Sequence, residues 1–362
     1  MVYKVVQWAT GNVGVQSLRA LLADPRFAVV GGYVYDPGKA GRDLGELAGA
    51  EPLGVTATDS AADIRCVDAD CVVYNALGDS GDAAQCLEDV CGLLESGKNV
   101  VSTAISTHIH PAAINPEDRE RLETACATGD TTFLSTGVNP GFAFDAFPIA
   151  LTSVARRIDR LHVLELVDMS DYTSKSIVSE LIGMGMSPDT MAPMEYLTDI
   201  QWSPYFPCVQ LLTDALGVTY DEFVIRHTKA VTDVPIDLPW GRIDTGAVAV
   251  RRIVIEARTA GSTTVEYELI WRVSNDAAPE WPSGKAHYAV TISGDPTLTC
   301  RLDIESDTGR GTSIATAMAA VNAIPAVCAA SPGIKTRLDL GKFGGGYFPA
   351  ATRRQPETSG AP

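Results

Sequence analysis

Basic residues are scarce in this chain: 28 Lys and Arg stand against 45 Asp and Glu in 362 residues, a formal net charge of −17. Nucleic acid and anionic membrane surfaces both require basic patches, so the balance argues against either as a partner. It leaves room for a small basic pocket that holds a nucleotide phosphate. No apolar run approaches the length of a membrane span. The N-terminus has neither a basic region nor a cleavage site, because Met1 leads straight into an apolar run. From these absences a cytoplasmic protein is the simplest expectation. Histidine is rare, with five in the chain, and the eight cysteines are scattered. Cys66 with Cys71, and Cys86 with Cys91, have a C-x4-C spacing that fits neither a zinc knuckle nor a redox C-x-x-C pair. No metal site is expected, and the thiols read as small buried apolar groups of a reducing compartment.

What is present is most informative at the start. Val5 and Val6 belong to an apolar strand, Ala9-Thr10-Gly11-Asn12-Val13-Gly14 forms a turn, and Val15, Leu18, Leu21 and Leu22 follow at helical spacing. Strand, glycine turn and helix open a dinucleotide-binding unit, in which backbone N–H groups and a helix N-terminus receive a pyrophosphate. The common fingerprint is G-x-G-x-x-G, and here alanine holds its first position. Ala9 serves there if the position needs no positive φ.

Short apolar strands alternate with amphipathic helices through the first 142 residues: strands at 27–35, 70–75, 99–103 and 132–135, helices at 82–96 and 116–128. This pattern predicts a doubly wound parallel sheet of Rossmann type. From 143 to 310 the pattern changes. A helix at 144–155, a strand at 160–167 and four strands at 247–257, 264–273, 287–293 and 298–304 predict an α+β domain with a mostly antiparallel sheet, one face covered by helices, for substrate binding and dimerisation. An Ala-rich helix at 311–330 opens a segment, 311–345, expected to pack back on the first domain. Residues 354–362 read as a flexible tail.

Cofactor and substrate should lie outside the carboxyl ends of the parallel strands. Thr10, Gly11, Asn12, Val13 and Gly14 would cradle the pyrophosphate. Asp36, 22 residues beyond Gly14, suits the ribose hydroxyls of NAD, whereas Lys39 and Arg42 suit a 2′-phosphate. NADP is therefore slightly favoured, and NAD stays open. Asn75, Ala76 and Leu77, then Thr103 and Ala104, then Asn139 and Pro140 fall at later strand ends. Asn139 precedes a proline and is expected to be extended, with an amide free for a carboxamide or a substrate oxygen. His108 is the candidate proton donor, and Ser106, His110 and Asp168 are candidate substrate contacts. Residues 182–206, with Met184, Met186, Met191, Met194, Trp202, Tyr205 and Phe206, read as core or interface, with an apolar pocket as the alternative.

The segments Gln7–Gly14, 39–47, 99–103, 136–142 and 321–325, taken in order, resemble the dihydrodipicolinate-reductase-like proteins, and among them the branch of 2,4-diaminopentanoate dehydrogenase and the NAD(P)H-dependent amine dehydrogenases. The resemblance runs to about residue 340. It implies a Rossmann domain, a second α+β domain closing over the cofactor, and a homodimer built through that second domain. In that branch a glutamate that binds the amine follows the Ser-Thr of the fifth strand. Here Ala104, Ile105, Ser106 and Thr107 follow, with no carboxylate. The expected function is hydride transfer to or from a C=N or C=O carbon of a small molecule in an interdomain cleft. A carbonyl reductase or semialdehyde-type dehydrogenase, and a non-catalytic NAD(P)-binding regulator, are the alternatives.

Overall fold

In the computed structural model the described residues are 1–78, 82–192, 203–308 and 310–341, so the expected tail at 354–362 lies outside them. The first half alternates β1 (Tyr3–Trp8), α1 (Asn12–Ala23), β2 (Phe27–Tyr33), α2 (Leu44–Ala48), β3 (Ala57–Thr58), α3 (Ala61–Cys66), β4 (Cys71–Tyr74), α4 (Ala83–Glu95), β5 (Asn99–Ser102), α5 (Pro116–Gly129) and β6 (Thr132–Ser135). The second half contains α6 (Ala146–Thr152), β7 (Arg157–Asp168), α7 (Phe206–Leu216), β8 (Glu222–Val231), β9 (Ile236–Leu238), β10 (Gly241–Ile243), β11 (Val248–Thr259), β12 (Ser262–Arg272), β13 (His287–Asp295) and β14 (Leu298–Leu302). Then α8 (Gly311–Val321), α9 (Ile324–Ala329) and β15 (Gly333–Lys335) return to the first half.

The first sheet has the order β15-β6-β5-β4-β1-β2-β3, with every pairing parallel. Its strands are short and apolar because both faces are covered. Val5, Val73, Val101 and Leu134 meet Leu18 and Leu21 of α1 and Ala320, Ile324 and Val327 of the returning helices. On the opposite face Val6, Val72, Val100 and Phe133 meet α4 and α5 through Leu87, Val90, Leu94 and Leu122.

Two expectations for the returning segment need correction. Gly311–Ala329 is 19 residues with a mean hydropathy of 1.5, so one stretch does reach the length and composition of a membrane span. It is also two helices, not one. Pro325 in the first turn of α9 lacks an N–H and would clash with the carbonyl four residues back. Both helices bury residues against the first sheet, with Ala317, Ala320, Val321 and Ile324 inaccessible or nearly so.

The second sheet runs β14-β13-β7-β12-β11-β8. It is antiparallel except where β12 runs parallel to β7. One face packs Leu161, Val163, Ile253, Ile255, Tyr267, Leu269, Val290 and Ile292 beneath Cys208, Val209, Leu211 and Leu212 of α7. The other face carries charge. Glu256, Glu266 and Glu268 are buried there under Arg226 and Arg258, under Arg160, and under Arg252 with His162, respectively. His162, Glu266 and Glu268 bring three ligand-type atoms within 4.8 Å of one another, but Arg160 and Arg252 already hold those carboxylates at 2.5 Å.

Candidate active site

The glycine turn is built by close approach. A Cβ on Gly14 would stand 2.2 Å from the Ala9 carbonyl oxygen, so glycine is the residue that fits there. Gly11 has nothing within 4 Å of its notional Cβ, which leaves that side of the turn open. Gly11 caps α1 without a side-chain hydrogen bond, and no acidic residue occupies the first turn. The N–H groups at this helix start therefore remain available, and they suit a pyrophosphate. Ala9 itself has φ 69°, so the fingerprint's first position does take a left-handed backbone and the alanine is held there at a cost of roughly 1–2 kcal/mol. Gly14→Ala is expected to weaken dinucleotide binding at least about tenfold, or about 1.4 kcal/mol, in a nucleotide fluorescence titration.

Beside the turn, Lys39 Nζ reaches the Thr10 carbonyl at 3.2 Å and its Oγ1 at 3.4 Å. Asp36 Oδ1 accepts from Gly38 N at 2.9 Å and so closes its own loop, while Arg42 is exposed. Farther along the strand ends, Gln7 Nε2 donates to Asn75 Oδ1 at 2.9 Å, and Asn75 Nδ2 donates to Thr103 Oγ1 at 2.8 Å. These bonds tie together the ends of β1, β4 and β5. Ala104 and Ser106 are buried, Ala76 is half-buried and Leu77 is exposed.

Three candidate residues have contacts of their own within the chain. Burial pushes the His108 imidazole down to about 4, against a weak opposing effect of Asp118. Its ring packs edge-on to Phe133, its Nδ1 lies 3.0 Å from Thr107 Oγ1, and its Nε2 is buried with no hydrogen-bond partner. Burial thus favours the neutral ring, which is set into the packing beside α5. His110 Nε2 bonds Asp214 Oδ2 of α7 at 2.7 Å, so it ties the two halves together. Asp168 accepts from Ser170 N at 3.0 Å, as a turn aspartate does.

Asn139 is extended, at φ −155° and ψ 121°, and follows the carboxyl end of β6. Its Oδ1 accepts from Tyr267 Oη of β12 at 2.6 Å, which bridges the two halves. Pro140 follows it in the same crossover. Next to Asn139 stands a group that sequence reasoning passed over. Glu165, three residues before the end of β7, is 7% exposed, and burial raises its carboxyl to about 7. The polar groups of Asn139, Tyr288 and Trp271 nearby oppose that rise and offset only part of it. Tyr288 is its cross-strand neighbour on β13. The signal was a lone acid in the inward register Leu161, Val163, Glu165, Val167, since alternate strand residues share a face. Asp168, three positions on, faces the other way. Of the apolar stretch 182–206, Met184 and Tyr205 join the core below the second sheet, and Met194 and Trp202 lie outside the described residues.

The profile of the 2,4-diaminopentanoate dehydrogenase C-terminal domain matches residues 142–344. An amine dehydrogenase of Streptomyces virginiae is 30% identical over 347 residues, spanning 92% of this chain and 95% of that protein. The chain belongs to the amine dehydrogenase and 2,4-diaminopentanoate dehydrogenase family. It is an NAD(P)-dependent oxidoreductase of that class. The 2,4-diaminopentanoate dehydrogenase of Acetoanaerobium sticklandii is 24% identical over 249 residues, 68% of each chain. The solved amine dehydrogenase of Mycobacterium smegmatis shares the fold, with a TM-score of 0.71 at 22% identity over 92% of this chain and 94% of that one.

Proposed function

We propose that this amine dehydrogenase-family protein moves hydride at the nitrogen-bearing carbon of a small amine. The reaction balances as RR′CH–NH3⁺ + NAD(P)⁺ + H2O ⇌ RR′C=O + NH4⁺ + NAD(P)H + H⁺. The observation that carries the reading is the Asn139 bridge: at the carboxyl edge of the first sheet, its side chain meets Tyr267 and Glu165 of the second. Polar groups of one half are thereby delivered to the strand ends where a bound nicotinamide would lie. The nicotinamide, when bound, supplies the hydride chemistry. The protein's own part is to position the carbon, exclude water and pair the nitrogen's charge.

Gly11, Asn12, Val13 and Gly14 would hold the pyrophosphate, and Lys39 with Arg42 would favour NADP. The support for NADP is that Lys39 already leans over Thr10 while Asp36 is committed to its own loop. Lys39→Ala is expected to weaken NADPH binding about tenfold more than NADH binding, since a charge-assisted phosphate contact is worth about 1.5–3 kcal/mol. A homodimer through the second half is the assembly we propose, and light scattering would measure it. The eight free cysteines suit a cytoplasmic setting. The deciding assay follows NADPH oxidation over a panel of aldehydes and ketones with and without ammonium. Turnover that requires ammonium supports the reading. Turnover without it indicates carbonyl reduction, and silence indicates a nucleotide-binding regulator.

A further inference from the structure

We propose that Glu165 is the carboxylate that pairs with the substrate's ammonium group and accepts its proton. The inference rests on the amine reading above and names the group that performs it. Its first support comes from elimination. Among the described residues, every other buried acid has a basic side chain near it. Asp24 has Arg26, Asp89 feels Arg65, and Asp145 has Arg337. On the charged sheet face Glu256, Glu266 and Glu268 have their arginines.

Glu165 has none among the described residues. The groups that face it are Tyr267 and Trp271 of β12, Tyr288 of β13, Asn139 of the crossover and Tyr172 beyond the end of β7. Burial holds Tyr267 and Tyr288 above their usual range, so they stay neutral donors around pH 7. A carboxylate buried among neutral groups is costly, and a cation that arrives with the substrate relieves the cost.

Geometry supplies the second support. Tyr267 Oη donates to Asn139 Oδ1, and Tyr267 shares the inward face with Glu165 on the neighbouring strand. The Asn139–Tyr267 bond thus brings the crossover that ends the first sheet beside the strand pair that carries Glu165. In the deaminating direction an N–H bond of the ammonium breaks and an O–H bond forms on Glu165. The electron pair stays on nitrogen, where it assists departure of hydride from the adjacent carbon.

The test is Glu165→Gln in the full-length protein, with Glu165→Asp beside it. For Glu165→Gln, amine-oxidation kcat/KM should fall at least about a hundredfold, the scale of a lost general base, while the NADPH dissociation constant stays within about twofold. The wild-type kcat/KM profile should rise with pH through about 7, and Glu165→Gln should abolish that limb. Glu165→Asp should keep the limb at a lower rate, which a purely structural role would not produce. Ammonium-dependent turnover in the wild type with an equally active Glu165→Gln would overturn this inference alone. A wild type without ammonium-dependent turnover would overturn the amine reading, and this inference with it.

Discussion

Glu165→Gln is expected to make the protein more stable at about pH 8 while removing its turnover. The carboxyl is raised from 4.5 to about 7 by burial, so the folded state holds this proton more tightly than the unfolded state does. A group of this kind contributes its full stability below about pH 4.5. That contribution disappears as pH rises through about 7, because ionisation must then occur in the folded interior. A displacement of that size corresponds to about 3 kcal/mol. Urea unfolding at about pH 8 should therefore favour Glu165→Gln by roughly that amount, and the two proteins should coincide at about pH 4. Equal midpoints at both pH values would mean that Glu165 is not held in the environment described. A site that destabilises its own fold at working pH is a common sign of function.

The second large effect is expected at the crossover between the halves. Asp145 is buried at the start of α6, where burial raises its carboxyl and the nearby Arg337 lowers it. Arg337 Nε lies 3.8 Å from Asp145 Oδ1, and its guanidinium sits 5.5 Å above the Phe142 ring. Removing one partner of a buried pair leaves the other charge uncompensated, which costs roughly 3–5 kcal/mol. Arg337→Met should thus lower the urea midpoint sharply at neutral pH. Adding Asp145→Asn to it should recover a large part of the loss, because replacing both charges is far cheaper than stranding one. If the double variant proves as unstable as the single, packing of Arg337 on Phe142 matters more than its charge.

The first sheet was legible because its strands are compact apolar runs, and a parallel sheet covered on both sides demands such runs. β8 was not, since Glu222–Val231 mixes charged and apolar residues, as a strand at a sheet edge does. The single helix expected at 311–330 failed at Pro325, a breaker inside an otherwise continuous apolar pattern. Within the site, the glycine turn could be found by local spacing, because its geometry is local. The orientation of His108 and His110 depends on Phe133, Thr107 and Asp214, which no spacing rule connects to them. Glu165 was overlooked for a related reason. Its neighbours Tyr267 and Tyr288 reside on strands more than a hundred residues away, and the parallel β7–β12 and antiparallel β7–β13 pairings that bring them beside it cannot be read from any one strand alone.

The return of α8, α9 and β15 to the first sheet also sets an order in time. One face of that sheet presents Val5, Val73, Val101 and Leu134 to helices that arrive only with residues 311–329, and the β6 edge waits for Gly333–Lys335. On the ribosome, the first half must wait through synthesis of the entire second half with that apolar face covered only in part, by α1. During those seconds the nascent chain carries an open strand edge and a greasy surface, the features that chaperones bind and that seed aggregation. The chain that opens with its cofactor turn thus completes that half among the last of its described residues.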